Sequence, residues 1–569
     1  MPCEVNRNAD SECDLRVGSF YTRLVLTLTM HGMPLREIDR IVDDVCTLFR
    51  EHEKAGFLEG LNIGFTPQPK SVEITAFSDK MCYNSCTGIM RKAGKRRAVL
   101  EDVGMYRMNR QMRIEDFVFP YGQLNKDNEW VKLADLVPWD EAEEAYARQF
   151  VNNGHPAHSA RIALGALIIK QRLKCSDEWT VRHVSENPYL QYFLGLKEYT
   201  SKCPFGASTM VEFRKRFPPE AIAALLAAST PKEDQDDHNG QNGDGSGENK
   251  GTLIMDATCC PADISYPQDF QLLNEAREKL EHIVDVYCEA NKLKKPRMRR
   301  RAARRDYLKL SRSKKRTAQK IREGVRKQLQ YIRRDIGFIV DIIRKIHMKV
   351  EEKVADLLNI ITTLYEQQLY MYENRVHTVP DRIVSISQPW VRPIVRGKVH
   401  GNTEFGAKLH ISMVDGYAKI ERLSFDAYNE ATDFFSAVEG YRLEHGCYPQ
   451  RILVDKIYRN RETISWCRAQ GIQLTGPALG RPAKNAERTK QAKKQEYQDI
   501  CDRNIVEGEF GVGKRSYGLN RIMAHLQETS FCVIGIALLC MNLAKRLLSL
   551  LCQFLQFWLL TAHGSVFAF

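Results

Sequence analysis

The sequence holds 16 cysteines but no pair of CxxC motifs. Cys82 and Cys86 form a lone C-x3-C with no second ligand pair at zinc-finger spacing, and the adjacent Cys259 and Cys260 are badly placed to bridge each other. Neither a zinc framework nor a disulfide framework organises such a chain, and reduced thiols in a cytosolic protein are expected. Residues 1–14 are polar and carry four acids, which is not the pattern of a secretory signal. A long apolar run is lacking as well. Residues 531–541 are apolar but reach only about half the ~20 residues that span a bilayer. Asn542, Lys545 and Arg546 separate this run from the apolar residues of 547–560. Both runs are expected as buried core helices, and a membrane role is the weakest of the readings.

Charge, by contrast, is abundant and uneven. The 569 residues carry 84 Lys or Arg against 71 Asp or Glu, a net charge of +13. Residues 292–334 hold 20 of the basic residues and only two acids, Asp306 and Glu323, so the remainder of the chain is net acidic. A basic block of this density repels itself without a counter-charge. It points to a polyanion, either nucleic acid or an anionic membrane surface. The length suits several domains, and 43% hydrophobic with 27% charged residues is ordinary for globular protein.

Against this basic background three acids stand out. Asp256 ends the apolar run Thr252-Leu253-Ile254-Met255, and Asp455 ends a second run, Ile452-Leu453-Val454. Glu507 lies in Arg503-Asn504-Ile505-Val506-Glu507-Gly508. A carboxylate at the tip of a short apolar strand is out of place in a core, because burial demands a partner. Two such tips and a third acid on a later helix can converge on a hard cation. Carboxylates are natural ligands of Mg²⁺, and paired Mg²⁺ ions activate attack on phosphodiesters. Other acids have simpler explanations. Asp415 belongs to an Asp-Gly turn, and Asp263 and Asp269 are read as helix caps. Glu509 is a rival to Glu507, and His377 and His410 are read as structural.

Along the chain, residues 19–57 have helical spacing and 71–77 alternate like a strand, but nothing in 1–104 names a chemistry. Helical patterns follow at 139–150, 160–173, 176–184 and 210–217, a compact domain suited to presenting cations to DNA. Residues 230–251 are acidic and rich in Gly and Asn, a linker that cannot bury a core. Beyond Asp256 the apolar positions from Ile321 to Leu364 keep steps of three and four, which predicts a long helix or a helical hairpin. Strand patterns resume at 407–414 and 417–425 around Asp415-Gly416. A helix at 429–444, a strand at 452–455, a helix at 461–470 and a strand at 472–475 complete the series.

In the last stretch Arg503, Glu507 and Lys514 are spaced R-x3-E-x6-K, which puts all three on one helical face at ~100° per residue. Gly508, Gly511 and Gly513 weaken that helix and would let a DNA backbone approach closely. Further passages accompany this one. They are Leu253-Ile254-Met255-Asp256-Ala257-Thr258, Leu273-Asn274-Glu275-Ala276-Arg277, Tyr331-Ile332-Arg333-Arg334-Asp335, Phe405-Gly406-Ala407-Lys408-Leu409-His410, Val454-Asp455-Lys456-Ile457-Tyr458-Arg459-Asn460-Arg461 and Leu479-Gly480-Arg481-Pro482. In this order they resemble the DDE transposases of bacterial insertion sequences, most closely the large group with a Tyr-Arg-Glu-Lys signature, over about 105–544.

The resemblance implies an α/β fold: an RNase H-like catalytic core with a long helical insertion after the first strand, preceded by a helical N-terminal domain. By it, Asp256, Asp455 and Glu507 are the catalytic acids and hold two divalent ions, Mg²⁺ or alternatively Mn²⁺. Arg503, Lys514 and Arg515 are expected on transposon-end DNA, and Arg299, Arg300, Arg301, Arg304 and Arg305 on phosphates of the basic block. The family's Tyr falls at Ile500 here, with Tyr497 one turn earlier.

The implied partners are the element's terminal inverted repeats and target DNA, bound as a homodimer in the bacterial cytoplasm at the nucleoid, with no small-molecule substrate. A related metal-dependent nuclease that cuts without joining strands is the alternative. The expected domains are 105–229 (helical, DNA-binding), the linker 230–251, the catalytic domain 252–545 interrupted by the basic insertion 270–395, and an apolar tail, 546–569. Residues 1–104 are expected to be either an added domain or sequence upstream of the functional start, with Met105 or Met108 opening the family-like part. The second is preferred.

Overall fold

The structure is a computed structural model and describes residue 114 and residues 117–119, 122–150, 157–231, 248–346, 350–395, 403–476 and 490–564. The expectations for 1–104, for the body of the acidic linker and for Leu479-Gly480-Arg481-Pro482 lie outside the described residues. In chain order the elements begin with helices α1 (Glu129–Leu136), α2 (Trp139–Ala147), α3 (Ala160–Leu173), α4 (Asp177–Glu186), α5 (Pro188–Phe193), α6 (Thr209–Lys215) and α7 (Pro219–Ser229). Strand β1 (Thr252–Pro261) follows, then helices α8 (Asp269–Ala290), α9 (Arg300–Ser311), α10 (Ala318–Ile346) and α11 (Glu352–Asn374). The chain returns to strands with β2 (Arg392–Val395), β3 (Thr403–Val414) and β4 (Tyr417–Ser424). A 3-10 turn (Glu430–Asp433) leads into α12 (Phe434–His445), β5 (Arg451–Leu453), a second 3-10 turn (Lys456–Tyr458), α13 (Arg461–Ala469) and β6 (Gln473–Leu474). Two long helices, α14 (Lys490–Ser516) and α15 (Gln527–Gly564), close the series. This is a mixed α/β protein, as the period changes in the sequence predict.

The described chain divides into two compact units. One comprises 264–393 and is entirely helical up to the start of β2; the other comprises the preceding helices with β1 and everything from 394 onward. In the helical unit α8, α10 and α11 share one apolar core, including Leu273, Leu280, Val284, Ile332, Ile361 and Leu364. The heptad-like run from Ile321 resolves into two helices, α10 and α11, the hairpin alternative of the two expected. Asp269 does not cap α8. It lies in the first turn and accepts from Arg382 (2.6 Å) and Gln368 (2.9 Å), fastening the chain after α11 to the start of α8.

In the sheet unit the strand order is β2-β3-β1-β5-β6, with β4 on β3. β1 runs antiparallel to β3 and parallel to β5, and β5 runs parallel to β6. The β3–β4 hairpin turns on Asp415 and Gly416, whose φ angles of +50° and +80° are those a two-residue primed turn requires. Its Asp415 carbonyl accepts from Lys545 at 2.9 Å. Asp263 does not cap a helix either; it pairs with Arg521.

α15 packs on β4, α7 and α6. Residues Gln527–Leu550 are the one stretch among the described residues long and apolar enough to cross a membrane, and 72% of that window is buried inside the protein. Asn542, which interrupts the apolar pattern, is itself buried. It bonds both the N–H and the carbonyl of Ala418 at 2.9 Å, docking the helix onto the edge of β4. A core helix is what this pattern builds, and α15 runs on without a break past 545, where a separate tail is expected.

Candidate active site

The site is set by register. β1 and β5 are parallel with Thr252 opposite Arg451, Leu253 opposite Ile452 and Ile254 opposite Leu453. The same offset carries Asp455, just past the end of β5, to the level of Asp256; Asp256 is not the strand tip the sequence suggests, because β1 continues to Pro261 against β3. Leu253, Met255, Ile452 and Val454 share one buried cluster on one face of this pair, and Ile254 and Leu453 are buried on the other.

Each acid is held by its own backbone. Asp256 accepts from the N–H of Ala257 at 2.8 Å. Asp455 leaves the strand, caps the 3-10 turn Lys456–Tyr458 and accepts from the N–H of Lys456 at 2.7 Å.

The third acid arrives on α14. Arg503 sits 3.9 Å from Asp256 and donates to Glu507, one turn along the helix, at 3.3 Å. One guanidinium thus ties the helix acid to the strand acid. Glu507 is 58% exposed, so its side chain is loosely held. Glu509 is the half-buried rival, and it faces elsewhere: burial raises its pKa, and the charge that offsets this is Lys545 of α15. The acid chosen by the R-x3-E-x6-K spacing is the one that shares Arg503 with Asp256.

Asp256 is short of positive charge. Burial pushes its carboxyl above the usual carboxylate range. The Ala257 N–H and Arg503 work against that, while Asp455 and Glu430 add to it. A site with this balance attracts a cation. Its donors, carboxylate oxygens only, suit a hard divalent ion. Among the described residues no three His, Cys, Asp or Glu side chains are gathered closely enough to hold a metal ion.

α14 stays helical through all three glycines. Gly513 faces inward: a Cβ there would lie 2.7 Å from Leu519 and 3.3 Å from Met541, so its missing side chain serves the packing of α15. Gly508, with nothing within 4 Å of a Cβ position, is the one of the three that leaves open space. Lys514 is half-buried near Cys259 of β1, and exposed Arg515 lies over Gly511. Tyr497 and Ile500 are both exposed on the same helix, at 69% and 53%.

The basic block divides in two. Arg300 is engaged within the helical unit, on Asp285 at 2.6 Å and the Glu281 carbonyl at 3.0 Å. Arg299, Arg301, Arg304 and Arg305 are exposed, with no ion-pair partner among the described residues. Sequence reasoning did not separate these sets. It also missed Glu430, which neighbours Asp256 electrically, and a buried chain joining Asp433, His410 and Tyr458. The only hint of that chain was Tyr458 three residues after Asp455, on the same turn.

The site thus sets Asp256, midway along β1, level with Asp455 just past β5, and links Asp256 to Glu507 of α14 through Arg503. Residues 452–544, which contain Asp455 and Glu507, match the family described as Transposase DDE domain, and residues 119–216 match the family described as Transposase domain. An uncharacterized protein, ORF8 in the nfe locus of Rhizobium meliloti, is 32% identical over 157 residues, which covers 28% of this chain and 73% of that protein. No solved structure matches. The chain belongs to the DDE transposases of insertion sequences. It is therefore a transposase, an enzyme class whose partner is DNA and whose members generally use a divalent metal.

Proposed function

We propose that this chain binds the ends of an insertion sequence, cuts a DNA strand there and joins the freed end to target DNA, with Asp256, Asp455 and Glu507 as the catalytic acids. The observation that carries the reading is the level register of Asp256 and Asp455, with Glu507 tied to Asp256 through Arg503. The element order of β1, a helical excursion, an antiparallel hairpin, a helix and parallel β5 supports an RNase H-like core interrupted by 270–395. The helical domain 105–229 is assigned to end recognition and the linker 230–251 to its tether, within the bacterial cytoplasm. A homodimer on DNA completes the proposal, so that two ends are handled together.

The carboxylate chemistry suits Mg²⁺ or Mn²⁺, and the negative charge around Asp256 favours the two ions of this reading. Divalent ions there supply charge neutralisation at the scissile phosphate and a nucleophile active at neutral pH. Asp256 and Asp455 hold the fixed side of the site, and exposed Glu507 closes it on turning away from Arg503. Arg503, relieved of Glu507, and Lys514 face the phosphates of the element end. In the cleavage step a water oxygen bonds to phosphorus, the bond from phosphorus to the 3′ oxygen breaks, and that oxygen leaves as a 3′-hydroxyl. In the joining step the 3′-hydroxyl attacks a phosphorus of target DNA and displaces the 3′ oxygen there.

The test is incubation of the full chain with a labelled duplex carrying the element's end, a target plasmid and Mg²⁺. Nicked and joined products that both vanish in EDTA are expected. Cleavage without joining would select the nuclease alternative, and cleavage undiminished by EDTA would overturn the metal reading.

A further inference from the structure

Behind the two strand acids lies a buried polar chain. His410 of β3 is fully buried, and its backbone pairs with Ala257, one residue beyond Asp256 on β1. Its Nδ1 lies 3.2 Å from an Asp433 carboxylate oxygen, and its Nε2 lies 3.0 Å from the hydroxyl of Tyr458. Asp433 ends the 3-10 turn before α12 and is also paired with Arg422 at 3.4 Å. A carboxylate only accepts, so Nδ1 carries the proton, Nε2 accepts, and Tyr458 donates. Burial raises the Tyr458 pKa far beyond its ordinary value, so the hydroxyl keeps its proton.

Tyr458 is the last residue of the short turn that Asp455 caps. It is fully buried, and its N–H bonds the Asp455 carbonyl at 3.2 Å. The position of the Asp455 carboxylate therefore follows from where the Tyr458 ring is pinned. The imidazole that pins it is fixed through the strand ladder to the residue after Asp256. One side chain thus connects both acid-bearing segments, by backbone on one side and by a hydrogen bond on the other. An apolar pair of the same volume would fill this space without the desolvation cost of a buried imidazole, phenol and carboxylate. What it could not do is fix the rotation of the turn, which a directional hydrogen bond does.

We propose that His410, acting through Tyr458, is a positioning residue that sets the spacing of Asp256 and Asp455 and with it the affinity of the site for divalent metal. This rests on the reading of those two acids as metal ligands. Residues that orient ligands from behind commonly control metal affinity by roughly 10- to 100-fold.

The experiment measures Mn²⁺ binding to the full-length protein by electron paramagnetic resonance, beside thermal unfolding and affinity for end DNA. Asp256→Asn is measured first and should abolish Mn²⁺ binding; retained binding would sink both the site reading and this proposal. Tyr458→Phe keeps the ring and removes only the hydroxyl. It should keep the fold and the DNA affinity, weaken Mn²⁺ binding about tenfold, and shift the metal midpoint of strand cleavage by the same factor. His410→Gln, whose amide oxygen can still accept from Tyr458, should bind Mn²⁺ more tightly than His410→Leu. If Asp256→Asn loses Mn²⁺ while Tyr458→Phe binds it as wild type does, the acids stand and the positioning role is overturned. Should His410→Leu fail to fold, Tyr458→Phe decides alone.

Discussion

The core of the helical unit and the neighbourhood of Asp256 in the sheet unit treat charge differently. In the helical unit buried charges are tied to partners within the unit. Arg277, 1% exposed, bonds Glu281 and Asn274, while Asp335 is only partly compensated by Arg334 at 2.7 Å. Around Asp256 the balance is thinner: Arg503 is shared by Asp256 and Glu507, Asp455 adds negative charge, and Glu430, which adds more, is itself paired with Lys408. Matched charge inside a protein fixes how helices pack. A half-buried carboxylate with more acids than cations around it favours the arrival of a cation. The helical unit carries the reverse imbalance on its outside, where Arg299, Arg301, Arg304 and Arg305 are exposed with no ion-pair partner among the described residues. Pairing, more than the number of charges, separates architecture from function in this chain.

Breaking a matched pair should cost most in stability. Arg277→Met leaves the Glu281 carboxylate buried with one partner fewer, and the expected loss is roughly 3–5 kcal/mol. Chemical denaturation followed by circular dichroism reads it, and a loss under about 1 kcal/mol would mean the pair does not hold the unit.

Asp335 sharpens the comparison through pH. Burial pushes its pKa from 3.8 up to about 6, against the pull of Arg334. The folded state therefore binds this proton more tightly than the unfolded chain does. The contribution is fully present below about pH 4 and is lost as pH rises through about 6. Asp335→Asn should flatten the stability of the helical unit across that window, and an unchanged slope would count against a buried, proton-linked Asp335.

The smallest effect concerns the exposed arginines. Replacing Arg301, Arg304 and Arg305 with Gln should leave stability alone. It should reduce the slope of log binding constant against log salt by roughly 0.9 for each phosphate contact removed. Arg300→Gln, by contrast, should lower stability and leave that slope nearly intact, since Arg300 is engaged on Asp285. Equal slopes for wild type and the triple variant would place the DNA path elsewhere.

Much of this was legible in the sequence because it depends on neighbours in the chain. α3 begins and ends at the expected residues, since Ser159 caps one end and Lys174 turns left-handed at the other. The hairpin at Asp415-Gly416 and the strand end before Asp455 follow from period and turn chemistry, whereas Asp256, expected at a strand tip, lies midway along β1, which runs on to Pro261 against β3. What escaped depends on partners far along the chain. His410 and Tyr458 are 48 positions apart, and each reads alone as an ordinary core residue. The glycines of α14 read as helix breakers until Leu519 and Met541 explain Gly513. Asp263 and Asp269 look like caps because the arginines that hold them, Arg521 and Arg382, lie more than a hundred residues away.

The central claim is that Asp256, Asp455 and Glu507 form one catalytic set. Single-turnover cleavage of an element-end duplex in Mg²⁺ tests it most directly, with Asp256→Asn, Asp455→Asn, Glu507→Gln and the neighbouring Glu509→Gln measured beside wild type. Each of the first three should cut slower by roughly 10³-fold or more at unchanged DNA affinity, because residues that act as a unit fail together. Glu509→Gln should cut at close to the wild-type rate. Wild-type cleavage by any of the first three, or collapse only in Glu509→Gln, would contradict the account.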